Sequence, residues 1–312
     1  MSNALERWWI YQQERFPIAK YSILIAAYSL SAVGYSAVLR QSVGGSTAAN
    51  PPAIASFVIA YLSVFLFFVQ LRIADEFKDA AEDAAHRAYR PVPRGLVSLK
   101  ELGVIGLGCA CVQLGLAIAL GWTMFWLLLG LWVYLSLMTQ EFFISDWLKA
   151  HPIVYLCSHM VIMPLMTFYA TACDWALVGR PSASLGWLLL TSFWGGVAIE
   201  LGRKTRAPES EEAGVETYSA LWGIRLAAIA WLTVLWLASF SSVLSAQAVD
   251  AVVPVAAVIA LGLLAAVAIV WRFLTHPTPR TAKWLEQGAG LWVLLVYPTL
   301  GLLPLVLRGY LS

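Results

Sequence analysis

The residue types best suited to chemistry are concentrated between Asp75 and Asp83, where five carboxylates occupy nine positions. If this stretch is helical, Asp75, Asp79 and Asp83 stand four residues apart and share one stripe of the helix. Like charges at that spacing repel by roughly 0.2–0.5 kcal/mol per pair, so a helix gains no stability by collecting them. A Mg²⁺ ion would reverse this penalty, because it binds carboxylates together with water and the oxygens of a phosphate-bearing substrate. The spacing therefore indicates a site for a divalent cation and a phosphate group.

Arginines follow the acidic stretch at once, at Arg87, Arg90 and Arg94. A guanidinium group donates two parallel hydrogen bonds to a phosphate, so these residues are suited to binding one. An alternative interpretation of the whole stretch is a solvated charged loop between two membrane helices. The regular spacing of the acids and the arginines beside them favour the binding site.

The same stretch resembles the first aspartate-rich motif of the UbiA superfamily of intramembrane prenyltransferases. That motif reads N-D-x-x-D-x-x-x-D and is followed by R-x-x-R-P-x-P-x-G. Here Asp75 and Glu76 occupy the Asn and first Asp positions, while Asp79 and Asp83 keep the other two, and residues 87–95 keep the spacing of the second part. The two substitutions preserve oxygen ligands but change their reach and charge. Metal binding is therefore expected, and the exact substrate is left open.

The resemblance implies a role for each matching residue. As ligands of Mg²⁺ it implies Asp75, Glu76, Asp79 and Asp83. As contacts of the substrate's diphosphate it implies Arg87 and Arg90. We expect Asp79, Asp83, Arg87 and Arg90 to be the residues on which catalysis depends.

The composition places these residues in a membrane protein. Of the 312 residues, 60% are hydrophobic and 12% are charged, which indicates a polytopic membrane protein and excludes a soluble domain. We therefore expect a lipid bilayer as a partner and no nucleic acid. All four cysteines lie in apolar segments, and neither a disulfide framework nor a cysteine metal site is indicated.

Uncharged stretches divide the chain into nine candidate spans of about 20 residues each, and nine is also the number typical of the UbiA family. The expected spans lie near 21–39, 53–71, 102–120, 123–140, 153–173, 184–199, 221–240, 251–271 and 288–307. Together with the resemblance they predict an all-α membrane protein with nine helices around a central cavity that opens to the cytoplasmic side. Residues 1–20 mix charges with aromatic residues and are expected at the membrane interface or as an ordinary cap helix. Residues 21–312 are expected to form a single transmembrane domain.

Lysine and arginine are distributed unequally between the two ends of these spans. With a cytoplasmic N-terminus, seventeen of the twenty basic residues fall on the cytoplasmic side and three on the other. This positive-inside bias predicts that the polar loops 72–100 and 200–220 are both cytoplasmic. We expect the protein to be integral to a bacterial inner (plasma) membrane.

The second polar loop contains a weaker counterpart of the first motif. Gly214, Thr217 and Gly223 resemble the family's G-x-x-T-x-x-x-x-x-G ending, but Ser210 stands where an Asp is expected. A glutamate cluster can still hold Mg²⁺. We predict Glu209 and Glu212 as ligands of a further metal ion, and Arg203, Lys204 and Arg206 as contacts of the diphosphate. An equally supported alternative is a charged loop whose glutamates pair with its own arginines.

The resemblance implies Mg²⁺-dependent transfer of a prenyl group from an isoprenyl diphosphate to a lipophilic, aromatic acceptor. The carbocation intermediate must be kept from water, and aromatic faces stabilise a cation by roughly 0.5–2 kcal/mol per ring. Tyr61, Phe65 and Phe68, which precede the acidic motif, are the first candidates to bind the prenyl chain, although packing is the commoner role. His159, inside a span, is either a functional residue or a hydrogen-bonded packing residue.

Three other functions stay open. A terpene cyclase of the same superfamily would ionise the same substrate and let the cation close on itself. A transporter fits poorly, because charge gathers at the cytoplasmic ends of the spans and not at the bilayer midplane. A non-catalytic lipid-binding relative is suggested by the divergent second loop. The prenyl chain length, the acceptor and the oligomeric state are not specified by the sequence.

Overall fold

The computed structural model describes residues 4–44 and 52–309, and over these residues the chain forms helices and no strand. The longer helices are α1 Ala4–Arg15, α2 Ile18–Gly44, α3 Ile54–Lys78, α4 Ala80–His86, α5 Leu99–Leu120, α6 Trp122–Thr139, α7 Ser145–Ala150, α8 Pro152–Met160, α9 Ile162–Trp175, α10 Leu185–Arg203, α11 Tyr218–Gln247, α12 Val252–Thr275 and α13 Pro279–Leu307. Two short 3₁₀ helices, Glu141–Phe143 and Pro208–Ser210, lie in the connections.

Nine helical spans in the described part of the chain are long and apolar enough to cross a membrane, which confirms the predicted number. Eight of them are the single helices α2, α3, α5, α6, α10, α11, α12 and α13, and the ninth is formed by α8 and α9 together. The predicted single span 153–173 is thus two helices that meet at Val161. Pro164 explains the break, because it lacks the N–H that would bond to the carbonyl of Met160 and its ring crowds that carbonyl.

The two spans that precede the polar loops extend further than predicted. Helix α3 continues past residue 71 to Lys78, and α10 continues past residue 199 to Arg203. Ion pairs along the helix support both extensions, with Arg72 Nη2 lying 2.8 Å from Asp75 Oδ2 and Arg203 Nη2 lying 2.7 Å from Glu200 Oε2. The start of each expected polar loop is therefore helical, and both motifs begin on rigid helix ends.

Helix α2 occupies the centre of the bundle. Within the apolar windows of the spans, 67% of the α2 residues are buried against 17% of the α12 residues, so α12 lies at the periphery of the bundle. Helix α13 packs on α2 so closely that a Cβ added to Gly301 would lie 2.0 Å from the carbonyl oxygen of Ser31. Only glycine allows this approach of the two backbones.

Helix α1 lies against the segment that contains the first motif. Tyr11 packs in a small apolar cluster with Ile73, Val97 and Leu102. Two ion pairs hold the helix further, Arg7 with Glu101 at 2.5 Å and Glu14 with Arg94 at 2.9 Å. The position of residues 1–20 at the membrane interface and the single-domain division stay predictions.

Candidate active site

A cavity of about 1080 Å³ opens between the helix ends that carry the two motifs. One end of it is charged and is lined by residues that include Arg72, Asp75, Asp79, Arg90, Arg203 and Lys204. The other end is apolar and aromatic, and is lined by residues that include Tyr28, Phe68, Ile162, Met163, Val293 and Tyr297. Because Tyr28 lies ten residues into α2 and a helix rises 1.5 Å per residue, the cavity reaches about 15 Å into the bundle.

The first motif keeps its helical spacing across the junction of α3 and α4. The backbone N–H of Asp79 donates to the carbonyl of Asp75 at 2.9 Å, and that of Asp83 donates to the carbonyl of Asp79 at 2.8 Å. Asp79 itself stands between the two helices with φ −88° and ψ 2°. The three aspartates therefore follow one another by single helical turns, as predicted.

Two of the four predicted metal ligands of this motif, Asp75 and Asp79, line the cavity. Asp75 is partly neutralised by Arg72, whereas the Asp79 carboxylate forms no ion pair with any residue in the described ranges. Burial raises the pKa of the Asp79 carboxyl, and the negative charge of Asp75 raises it further. A half-buried carboxylate without an ion-pair partner, beside a second carboxylate, is a fitting ligand for a divalent cation.

The other two predicted ligands, Glu76 and Asp83, are 2% exposed and do not line the cavity. The Glu76 carboxylate accepts a hydrogen bond from Arg15 Nε. Asp83 accepts hydrogen bonds from Arg87 at 2.9 Å and from Arg90 at 2.7 and 2.6 Å. These carboxylates lie behind arginines that do line the cavity, and they fix the guanidinium groups in place.

The second loop brings cations, and not the predicted glutamate ligands, to the cavity. Arg203, Lys204 and Arg206 line it. Glu209 is exposed and outside the lining, and Glu212 lies 3.1 Å from Arg206 Nη1 and 3.9 Å from Arg87 Nε. Across residues 4–44 and 52–309 no group of three His, Cys, Asp or Glu side chains is arranged to hold a metal ion by itself.

Glu211, which stands between Glu209 and Glu212 in the sequence, is also hydrogen-bonded within the protein. Glu211 accepts hydrogen bonds from the hydroxyl of Thr217 at 2.7 Å and from that of Ser219 at 2.6 Å. Glu200, at the end of α10, is paired with Arg203 and Lys204. Glu200 and Glu212 therefore pair with basic residues of the same region, as in the alternative interpretation, whereas Glu211 is hydrogen-bonded to hydroxyl groups.

Lys78 lies at the centre of a polar cluster. Of the residues around it, the sequence indicated His159 as a candidate. The Lys78 ammonium donates to Glu141 Oε1 at 2.9 Å, to the hydroxyl of Tyr155, and to Nε2 of His159 at 3.4 Å, which uses all three N–H groups. Nδ1 of His159 lies 2.8 Å from the carbonyl oxygen of Tyr155, which can only accept, so Nδ1 carries the proton and Nε2 is an acceptor. Burial acts to raise the pKa of Glu141, but the hydrogen bond and the charge of Lys78 outweigh it and the pKa is lowered.

The predicted aromatic residues of α3 are only partly at the cavity. Phe68 lines it, whereas Tyr61 and Phe65 do not. Phe65 instead packs edge-on against Phe16, with ring centroids 5.7 Å apart. Tyr61 lies seventeen residues before Lys78, or about 25 Å along the helix, which is deeper than the cavity extends.

The deep aromatic wall is formed by residues that the sequence did not single out. Tyr28 of α2 and Tyr297 of α13 have ring centroids 5.2 Å apart. Both lie in long apolar spans whose lining face no local pattern reveals. Only the close packing of α2 on α13 brings them together.

This chain is similar to known proteins in its family and in its fold. Residues 41–295 match the model of the UbiA prenyltransferase family. Curated protein sequences gave no match. Among solved structures, the chain is similar to the apo form of a UbiA homolog from Aeropyrum pernix K1, with a TM-score of 0.66, 13% identity, and coverage of 86% of this chain and 94% of that one.

Two further structures are similar. One is a structure of digeranylgeranylglyceryl phosphate synthase. It has a TM-score of 0.57 and 14% identity, and the match covers 91% of this chain and 97% of that one. The other is a UbiA homolog from Archaeoglobus fulgidus bound to GPP and Mg²⁺, with a TM-score of 0.50, 12% identity, and coverage of 90% and 99%. At such low identity these likenesses show the fold.

The helical bundle, with its charged cavity at the ends of the motif helices, defines an integral membrane protein with the fold of intramembrane prenyltransferases. The family match over most of the chain is more specific. The chain belongs to the UbiA prenyltransferase family, which confirms the resemblance seen in its first acidic motif.

Proposed function

We propose that this protein transfers a prenyl group from an isoprenyl diphosphate to a lipophilic, aromatic acceptor, and that the transfer depends on Mg²⁺. The observation that carries the proposal is the division of the cavity. Its charged end suits a diphosphate, and its apolar end, about 15 Å deep, suits a prenyl chain. Family membership and the solved homolog bound to GPP and Mg²⁺ support the same reaction class.

Asp75 and Asp79 are the residues that would hold Mg²⁺. This ion binds through one or two carboxylates and completes its shell with water and substrate phosphates, so two carboxylates on one cavity wall are sufficient. When bound, Mg²⁺ neutralises the charge that develops on the leaving diphosphate. Glu209 does not fit this role because it lies outside the cavity lining, and Glu212 is already paired with Arg206.

The arginines at the charged end would bind the diphosphate. Arg87 and Arg90 are held by the buried carboxylate of Asp83, so they are oriented before the substrate arrives. Arg203 and Lys204 line the cavity from α10. Charge-assisted hydrogen bonds from such fixed groups stabilise a leaving diphosphate without reorganisation during the reaction.

The deep end of the cavity would protect the carbocation. Tyr28, Phe68 and Tyr297 present aromatic faces there, and each face can stabilise a nearby cation by roughly 0.5–2 kcal/mol. The apolar residues around them exclude water, which would otherwise capture the cation as a prenyl alcohol. The residues of the Lys78 cluster hold a fixed ammonium group in the lining of the cavity.

The charged end of the cavity is proposed to face the cytoplasm, because seventeen of the twenty basic residues belong to that side. Single cysteines at Ala84 and Ser210 in a cysteine-free background should resist an impermeant thiol reagent in intact cells. Labelling of either position from outside the cell would reverse the orientation.

The proposal is tested by comparing lipid extracts of cells with and without the gene. A prenylated compound should be missing when the gene is absent and should return when the gene is supplied. The Asp79→Asn variant, expressed at the same level in the membrane, should not restore it. Identical lipid extracts, or full restoration by the variant, would contradict the proposal.

A further inference from the structure

Helix α1 lies outside the part of the chain that matches the family, yet its last residue reaches the candidate active site. The family match begins at residue 41, and α1 ends at Arg15. Arg15 lines the cavity, and its side chain is only 9% exposed. Its Nε donates a hydrogen bond to the buried carboxylate of Glu76, which holds the guanidinium group at the cavity wall.

Some N–H groups of the arginines that line the cavity have no hydrogen-bond acceptor among the described residues. Arg15 Nη2 is buried and has no hydrogen-bond partner among the described residues. Arg72 Nε and Arg87 Nε are in the same condition, with carboxylate oxygens of Glu76 and Glu212 lying 3.8 and 3.9 Å away, which is too far for a hydrogen bond. Buried donors without partners are uncommon in proteins. A fourth, Arg7 Nε, lies outside the cavity, whereas the three on Arg15, Arg72 and Arg87 belong to arginines that line it and are consistent with an acceptor bound there.

The charges around these donors are arranged in two layers. Arg15, Arg72 and Arg87 line the cavity, while Glu76 and Asp83 lie behind them and outside the lining. Burial and the nearby charge of Arg72 lower the pKa of Arg15. An anion with several acceptor oxygens, bound in the cavity against these arginines, would both satisfy the donors and offset the repulsion between them.

We propose that Arg15 is a substrate-binding residue which α1 supplies to the active site, and that its guanidinium group donates to an oxygen of the isoprenyl diphosphate beside Arg72 and Arg87. This inference rests on the proposed function and deepens it. It also gives a reason for the Glu at position 76, where the family motif has Asp. The longer side chain reaches back to Arg15, and Glu76 acts as a positioning residue for that arginine.

The test is equilibrium binding to the full-length protein in lipid nanodiscs with Mg²⁺. The probes are geranylgeranyl thiolodiphosphate, which does not ionise readily, and geranylgeraniol, which has the same chain without phosphate. A lost charge-assisted hydrogen bond should weaken diphosphate binding by about 10- to 100-fold in Arg15→Gln. Binding of the alcohol should not change.

Two further variants separate binding from folding. Arg15→Lys keeps a cation for Glu76 but lacks the second guanidinium nitrogen, so it should fold and still bind the diphosphate more weakly. If Arg15→Gln does not fold, the double variant Arg15→Gln/Glu76→Gln removes the unpaired buried carboxylate and takes its place. The matched control is Arg7→Gln, on the same helix and also paired with a glutamate, which should bind both probes as the wild type does because Arg7 does not line the cavity.

The outcomes distinguish this inference from the proposed function. Wild-type affinity for the thiolodiphosphate in the Arg15 variants would overturn the role of Arg15 and leave the proposed function standing. An equal loss of both probes would also overturn it, because it would show that Arg15 only shapes the cavity. Failure of the wild-type protein to bind the geranyl, farnesyl and geranylgeranyl thiolodiphosphates alike would contradict the proposed function itself.

Discussion

Replacing Asp79 by Asn should stabilise the fold and remove the activity. Most substitutions in a helix end near the core destabilise a protein or change nothing. Asp79 differs because it is half-buried, follows Asp75 by one helical turn, and has no ion pair within the described residues. A substitution that raises stability and lowers turnover is expected where the original residue serves to bind a ligand.

The expected changes in stability and in turnover follow from the environment of the carboxylate without metal and with metal. Without metal, the variant loses a like-charge contact worth about 0.2–0.5 kcal/mol at a separation of four residues, so its free energy of unfolding should rise by about that amount. With metal, the variant loses a ligand of an ion that stabilises the leaving group by several kcal/mol. Since each 1.36 kcal/mol is about tenfold in rate, turnover should fall by at least about a hundredfold.

The stability difference should depend on pH with a definite sign. The pKa of Asp79 is raised in the folded protein, so its ionisation disfavours the folded state. Below the ordinary carboxyl pKa the wild-type residue is protonated in both states, and the two proteins should be equally stable. As the pH rises through the interval between the ordinary and the raised pKa, the wild type should lose stability relative to Asp79→Asn.

Both effects can be measured on the same detergent-solubilised samples. Thermal unfolding in EDTA at several pH values gives the stability difference, and diphosphate release with Mg²⁺ gives the activity. Asp146→Asn is a matched control, because Asp146 is exposed and lies outside the cavity lining. A lower stability of Asp79→Asn at neutral pH, or turnover close to that of the wild type, would refute the assignment of Asp79 as an unpaired metal ligand.

Three further predictions follow from the packing and the ion pairs. Asp83→Asn should lower the free energy of unfolding by about 3 kcal/mol, measured by thermal unfolding, because Arg90 loses its carboxylate and the buried Arg87 keeps only its ion pairs with Glu82 and Glu212. Glu209→Gln should change turnover far less than Asp79→Asn does, and an equal loss would restore the second loop as a metal site. Gly301→Ala should prevent assembly of a stable bundle, since its Cβ would overlap a carbonyl of α2, whereas Gly290→Ala, with open space around it, should express and unfold as the wild type does.

The number of spans could be predicted because it depends on local composition. A bilayer requires about 20 apolar residues per helix, and charges end each stretch. The helices continue past the predicted spans at the motifs because charged residues extend a helix when they pair within it, as Arg72 does with Asp75. The break at Val161 was not predicted because no glycine or Asp, Glu, Lys or Arg residue interrupts the span there, although Pro164 indicates it.

The identity of the first motif could be predicted because its residues are close in sequence, but their division into two layers could not. Glu76 is turned from the cavity by Arg15, which is 61 residues away in the chain. Lys78 is held by Tyr155, 77 residues away. Such pairings depend on how the helices pack, and no spacing within the motif encodes them.

The aromatic residues show the same limit. Tyr61, Phe65 and Phe68 recur on similar faces of α3, so periodicity alone treats them alike. Only Phe68 is close enough to the charged end to line a cavity about 15 Å deep. The depth is set by how Tyr28 and Tyr297 pack across the bundle, which is a property of two other helices.

The central claim, Mg²⁺-dependent prenyl transfer, is tested most directly by diphosphate release from the purified protein in nanodiscs. Geranyl, farnesyl and geranylgeranyl diphosphate are each supplied with Mg²⁺ or with EDTA, with and without an aromatic or quinone-like acceptor, and the organic extract is analysed by mass. The account predicts slow release without acceptor, fast release with one, a prenylated product, and no release in EDTA. Rapid formation of a cyclic terpene from the diphosphate alone would contradict transfer to an acceptor, and release that is unchanged in EDTA would remove Mg²⁺ from the mechanism.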